Sequence, residues 1–230
     1  RKKFEPFTDR AINLKINDIP IERVEHVKII GLIVDEQLNF SQHIQHVKNK
    51  INPFVAKFFH IRRFISETTA LKLYYAHVYS HLIFMNSIWS VAPKYLIDSL
   101  GVIQRRALRT VYMKDRLCHN VELFNENGLP LSAVITFHEN LILFKMLNNL
   151  LKNNIPLIQA NAIHFHNTRR NQHLISYNTN TALAQNNFYF RSVRSFNALP
   201  NYVKTFNSIG LFKKRLKEYL ADTVANTELI

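Results

Sequence analysis

The chain has 230 residues, enough for one large domain or two small ones with an adequate core. Nearly half of them are apolar, which excludes disorder over most of the length, and only 4 glycines exclude a turn-rich all-β fold. The 30 Lys and Arg against 16 Asp and Glu leave a formal charge of +14, which repels itself unless a polyanion is near and points toward phosphate backbones.

Residues 11–40 read as strands. Ala11–Ile16 alternates, Asn17-Asp18 supplies a turn, and Ile19–Val24 resumes with Pro20 near an edge position. Within Val24–Phe40, the apolar run Val27–Val34 contains Lys28 and Gly31, the pattern of a short β-hairpin with one central glycine. Such a glycine marks a bulge or a close approach by another backbone. Asp35-Glu36 then ends the strand as a solvated turn.

Ser41 is expected to cap a helix in which Ile44, Val47, Ile51, Phe54, Val55, Phe58 and Ile61 recur every three to four residues. Pro53 should kink that helix or restart it, with Asn52 as a second cap. Ser66 followed by Glu67 opens the next helix, running to about Ser90. Its apolar part, Leu71–Trp89, is interrupted by Lys72, His77, His81 and Asn86, so it reads as a buried helix and not a membrane span. After Ala92-Pro93, Tyr95–Lys114 forms a helix with the stripe Leu96, Leu100, Ile103, Ala107 and Val111. Asn125–Pro130 is a loop and Leu131–Leu151 is helical. Lys152 to about Asn187 is a polar linker, Phe188–Val193 a short strand, and Ser208–Ala221 a final helix.

Few chemical groups gather. No G-x-G-x-x-G or Walker loop can be assembled, and the single Cys118 excludes a disulfide framework or a Cys-rich zinc module. No two aspartates adjoin, so the paired metal ligands of a phosphoryl-transfer centre are absent and no catalytic residue is assigned. His77 and His81 share a helix face, but Val78 stands where a zincin has Glu, so no metal ligand is assigned either. Tyr74, Tyr75, Tyr79, Phe84 and Trp89 sit at core spacing. The start RKKFEPFTD lacks the apolar region of a secretory signal.

The basic residues are the stronger signal. Arg105, Arg106 and Arg109 project opposite the apolar stripe of their helix, where guanidinium groups can take phosphates bidentately. Lys48, Lys50, Lys57, Arg62 and Arg63 are spread more loosely along the Ser41–Phe64 helix. Few acids are interleaved to neutralise either set.

Several stretches, in order, resemble the C-terminal third of a LINE-type (non-LTR) retrotransposon reverse transcriptase of the jockey-like kind. They are LKINDIPIERVEHVKIIGLIVDEQLNFSQHI (Leu14–Ile44), LKLYYAHVYSHLIFMNSIW (Leu71–Trp89), QRRALRTVY (Gln104–Tyr112), HNTRR (His166–Arg170) and RSFNALPNYVKTFNSIGLFKKRLKEYL (Arg194–Leu220). Phe40 and Phe196 stand where that family often has Trp, Ser80 where it often has Pro, and Ile30 where Leu is common before the glycine.

The resemblance implies a mainly α fold, with a short N-terminal antiparallel β-hairpin, a helical thumb-like bundle and a helical C-terminal region. Residues 1–40 would be the end of the palm, its primer-grip-like hairpin carrying Lys28, Gly31 and Asp35 at the matching positions. Residues 41–115 would be the thumb, and 116–230 a C-terminal region with its polar linker at about 152–187. The implied partners are an RNA template and a DNA primer or target, handled inside the cell and in the nucleus, with no membrane. The magnesium of the parent polymerase would be held upstream, and a chain beginning at Arg1 reads as a piece of that larger protein. The alternative is a basic helical interaction protein with no polymerase activity.

Overall fold

Two consecutive hairpins open the computed structural model, which describes residues 14–124, 128–152, 157–163, 173–175, 179–204 and 208–227. In the first, β1 (Lys15–Ile16) pairs antiparallel with β2 (Ile19–Pro20) through Asn17 and Asp18, at φ 48° and 64°. In the second, β3 (His26–Ile29) pairs with β4 (Leu32–Asp35) through Ile30 at φ 49° and Gly31 at φ 89°. Positive φ at both central residues is the two-residue turn whose twist matches that of paired strands. Gly31 is therefore the turn itself and not a bulge within one long strand. What approaches it is a ring: a Cβ there would stand 3.4 Å from Phe84 Cε1.

The chain then enters α1 (Ser41–Ile61) through a turn built on Asp35. That carboxylate is buried and accepts N–H bonds from Gln37 at 3.1 Å, Asn39 at 3.0 Å and Phe40 at 2.6 Å. The expected solvated turn is thus a capped loop. The cap expected of Ser41 is also displaced: Ser41 lies within the first helical turn, and its N–H is met by Asn39 Oδ1 at 2.9 Å. Pro53 lies inside α1 without ending it. The carbonyl that loses its helical N–H partner belongs to Asn49, a residue exposed to solvent.

A 3₁₀ turn (Arg62–Phe64) leads to α2 (Glu67–Tyr74), capped by Ser66 Oγ on the Thr69 N–H at 3.2 Å. The expected continuous helix to Ser90 is divided. It passes through a π turn (Tyr75–Tyr79) and α3 (Ser80–Ile83), reverses at Met85 (φ 50°), and resumes as α4 (Asn86–Trp89). The fully buried Trp89 explains the break, because its indole N–H donates 2.8 Å to the Phe84 carbonyl.

Next come α5 (Lys94–Tyr112), α6 (Asn120–Phe124) and α7 (Leu131–Leu147). Of the polar linker, the described pieces include a 3₁₀ turn (Ala160–Ala162) and α8 (Ala182–Gln185). Phe188–Val193 is not a strand but the start of α9 (Phe188–Ala198), capped by Asn187 Oδ1 on the Phe190 N–H at 3.1 Å. Its buried Tyr189, Ser192, Val193 and Phe196 follow helical spacing. The chain closes with α10 (Asn201–Lys204) and α11 (Ile209–Thr227). Ala11–Asn13, Asn125–Asn127, His164 and the His166–Arg170 stretch lie outside the described residues.

The architecture is mainly α with short N-terminal antiparallel hairpins. One core gathers Ile44, Ile51 and Phe58 of α1 with Leu100, Ile103 and Val111 of α5 and with Trp89. A second joins Phe144 of α7 to Val193 of α9 and Phe212 of α11, the Phe144 and Phe212 rings stacked at 4.0 Å. Helix α7 is apolar nearly all round because it serves both cores. Arg191 of α9 pins the seam between them, donating to the Ser90 carbonyl and to buried Glu139 Oε1, each at 2.5 Å. Burial pushes the Glu139 carboxyl up, with the Arg191 guanidinium pulling against it.

Candidate nucleic-acid interface

A groove of about 1030 Å³ runs between the C-terminal parts of α1 and α5 and the loop that follows α5. Its lining includes the apolar side chains Val55 and Phe59 of α1, Val102 of α5 and Met113 just after α5. The rest of the lining is mostly cationic: Arg63, Arg106, Arg109, Lys114, Arg116 and the buried Arg62, with Asp115 the sole carboxylate among the described lining residues.

The groove follows from the amphipathicity of α5. Leu100, Ile103, Ala107 and Val111 are buried against α1, and at 3.6 residues per turn Val102, Arg106 and Arg109 fall roughly 100–170° from the centre of that stripe. Met113 in the left-handed conformation (φ 52°) stops the helix, and the Lys114 N–H returns 3.0 Å to the Arg109 carbonyl. Lys114 and Arg116 are thereby turned back beside the helix instead of running on past it.

The cations differ in their freedom. Arg62 is buried, its Nε donating 2.7 Å to the Val111 carbonyl and its Nη1 2.8 Å to the Ile65 carbonyl, so it ties α1 to the end of α5. Arg109 Nη2 donates 3.3 Å to the Cys118 carbonyl, holding the loop, while its Nε is buried without a partner. Arg63 lies 5.8 Å from the Phe64 ring centre, and Lys114 pairs with Glu122 at 3.6 Å on the surface. The Cys118 thiol first, and Lys114 second, hold the Glu122 carboxyl below its ordinary range. Arg106 and Arg116 pair with no carboxylate among the described residues and project into the groove. A guanidinium in that position suits bidentate contact with a phosphate.

Of the residues expected from sequence, the groove unites Arg62, Arg63, Arg106 and Arg109. Arg105 is not in it; its Nη1 lies back over Gly101 on its own helix. Lys50 and Lys57 are exposed on the other side of α1, Lys48 is half-buried, and Lys28 and Gly31 belong to the second hairpin. Lys114 and Arg116 were missed by a reading confined to helix faces, although they follow α5 directly in sequence.

The remaining chemistry is sparse. Among the described residues no three His, Cys, Asp or Glu side chains come together as a metal site. His77 is stacked on Phe54 at 4.5 Å. Tyr74 and Trp89 are core residues, while Tyr75 and Phe84 remain partly exposed. Among the described residues no helix is long and apolar enough to cross a membrane. Compared with known proteins, the chain matches no family model, no curated protein and no solved structure.

Proposed function

We propose that this chain grips a template–primer duplex on behalf of a LINE-type RNA-directed DNA polymerase, and that it carries none of the catalytic metal ligands itself. The single observation that supports this reading is the groove between α1 and α5, where six basic side chains meet one carboxylate. A polyanion placed there releases its own counterions and relieves the mutual repulsion of the rim. The ordered sequence resemblance adds the kind of polyanion, an RNA–DNA hybrid, and a nuclear place of work.

In this reading the second hairpin, with Lys28 on β3 and Gly31 at its tip, meets the primer end, and the groove follows the backbone. The contribution to catalysis is positioning, which lowers a barrier by holding reactants in line without taking part in the chemistry. The test is a competition titration of a labelled RNA–DNA hybrid against unlabelled hybrid, double-stranded DNA and heparin. The proposal expects the hybrid to displace the label better than double-stranded DNA does. A basic helical interaction protein would show no hybrid binding even in dilute salt, and that outcome would reject the proposal.

A further inference from the structure

A second set of cations lies on the side of α1 turned away from the groove. At 3.6 residues per turn, His46, Lys50 and Lys57 fall within roughly 40° of one another, whereas Val55 and Phe59 of the groove lining stand roughly 140–180° from His46 and Lys50. Three other elements lie close to this face. Lys28 of β3 stands near enough to act on His46, and His81 of α3 near enough to be acted on by Lys50 and His46. His77 of the π turn stacks on Phe54 of α1 at 4.5 Å.

The electrostatics of the cluster are one-sided. His46 is influenced by Lys50 and Lys28, and His81 by Lys50, His77 and His46, all of them cations or other histidines. Burial first, and these neighbours second, hold both imidazoles below their ordinary range. His46 Nε2 is covered and has no hydrogen-bond partner. Among the described residues no carboxylate is among the charges acting on either imidazole, and Glu139 of α7, which packs on α3, is held by Arg191. The Asp35 carboxylate of β4 is taken up by three backbone N–H groups, and Arg106 and Arg109 of α5 line the opposite groove. His43, one turn before His46, accepts the Ile33 N–H on Nδ1.

We propose that Lys28, His46, Lys50 and His81 form a second phosphate-binding surface, which takes hold of a nucleic-acid backbone as its histidines gain protons. The inference rests on the nucleic-acid reading above and adds a second face to it. In the free protein burial first, and then the positive neighbours, disfavours the imidazolium forms. A phosphodiester brought against the cluster reverses that balance, because an opposite charge favours the charged form. Binding and proton uptake are therefore linked, and affinity rises as pH falls.

The experiment measures affinity for an RNA–DNA hybrid at pH 7.5 and 5.5 at one salt concentration, with circular dichroism recorded at both. Wild-type chain is compared with His46→Gln/His81→Gln and with His60→Gln, an exposed histidine of α1 roughly 21 Å along the helix from His46. Wild type and His60→Gln are expected to gain about tenfold on acidification, and the double variant less than about threefold. Should the double variant unfold, Lys50→Ala, at an exposed residue given no contact in the nucleic-acid reading above, replaces it and is expected to lower the salt slope at pH 5.5 by about 0.9. An acid gain undiminished in the double variant, or an unchanged slope in the lysine variant, overturns the second surface while leaving the groove in place. Absence of hybrid binding at both pH values overturns the nucleic-acid reading and this inference with it.

Discussion

Arg62 Nε donates to the Val111 carbonyl at 2.7 Å across 49 residues of sequence, joining the end of α1 to the end of α5. The next residue, Arg63, is exposed on the rim of the groove those two helices form. Neighbouring arginines thus have opposite tasks, one structural and one available to a ligand. Replacing Arg62 by Ala leaves the buried Val111 carbonyl and the partly buried Ile65 carbonyl without this donor and should cost about 2–4 kcal/mol. A thermal melt checks this, and a melting point unchanged from wild type would contradict it.

Arg63→Ala with Arg106→Ala should behave in the reverse way. Both side chains are exposed, so the melting temperature should move little. If each meets one phosphate, the slope of log affinity against log salt should fall by about 1.8 in magnitude. A titration series in salt measures it. A slope equal to that of wild type would remove this pair from the interface.

The second hairpin makes a paired prediction. Ile30, a β-branched residue at φ 49°, is 80% exposed and has little burial to lose. Ile30→Asn should stabilise the chain by about 1 kcal/mol, since Asn-Gly suits a turn with two positive φ values. Gly31→Ala should destabilise it by at least about 1 kcal/mol, because φ is 89° and the new methyl would press on Phe84. Urea denaturation of the two variants should therefore shift in opposite directions, and a shift of the same sign in both would refute the assigned turn.

His43 sets a pH dependence of stability. Burial first, then His46 and Lys50, lowers its pKa to about 4. The folded state thus binds fewer protons than the unfolded chain between about pH 6.5 and 4. The stabilisation is complete above pH 6.5 and declines as pH falls toward 4, by up to about 3 kcal/mol. His43→Gln should be less stable at neutral pH and flatter across this window. Denaturation midpoints at pH 7 and 4.5 decide it, and parallel losses in the two proteins would assign the dependence elsewhere.

Much of this fold can be read from residue spacing. Ile44, Val47, Ile51, Val55 and Phe58 recur with the helical period, and all are buried on α1; Leu100, Ile103, Ala107 and Val111 do the same on α5. The hairpin turns are legible because Asn, Asp and Gly tolerate positive φ. Elsewhere the deciding interaction spans distance. Spacing alone does not reveal the reversal at Met85, which depends on Trp89 reaching the Phe84 carbonyl. In Phe188–Val193, aromatic and β-branched residues suggest a strand, while packing of α9 against α7 makes it helical. Charge gave the candidate interface in outline. Which arginines face it depends on how α1 and α5 pack: Arg63 and Arg106 line the groove exposed, Arg62 lines it while buried against the end of α5, and Arg105 lies outside it.

Cross-linking tests the central claim most directly. An RNA–DNA hybrid carrying photoreactive groups along its backbone would be irradiated with the chain at pH 7.5 and the modified peptides mapped. Cross-links are predicted in residues 55–63 and 102–116, the two walls of the groove. Cross-links confined to α7 through α11, or none at all in low salt, would contradict the account.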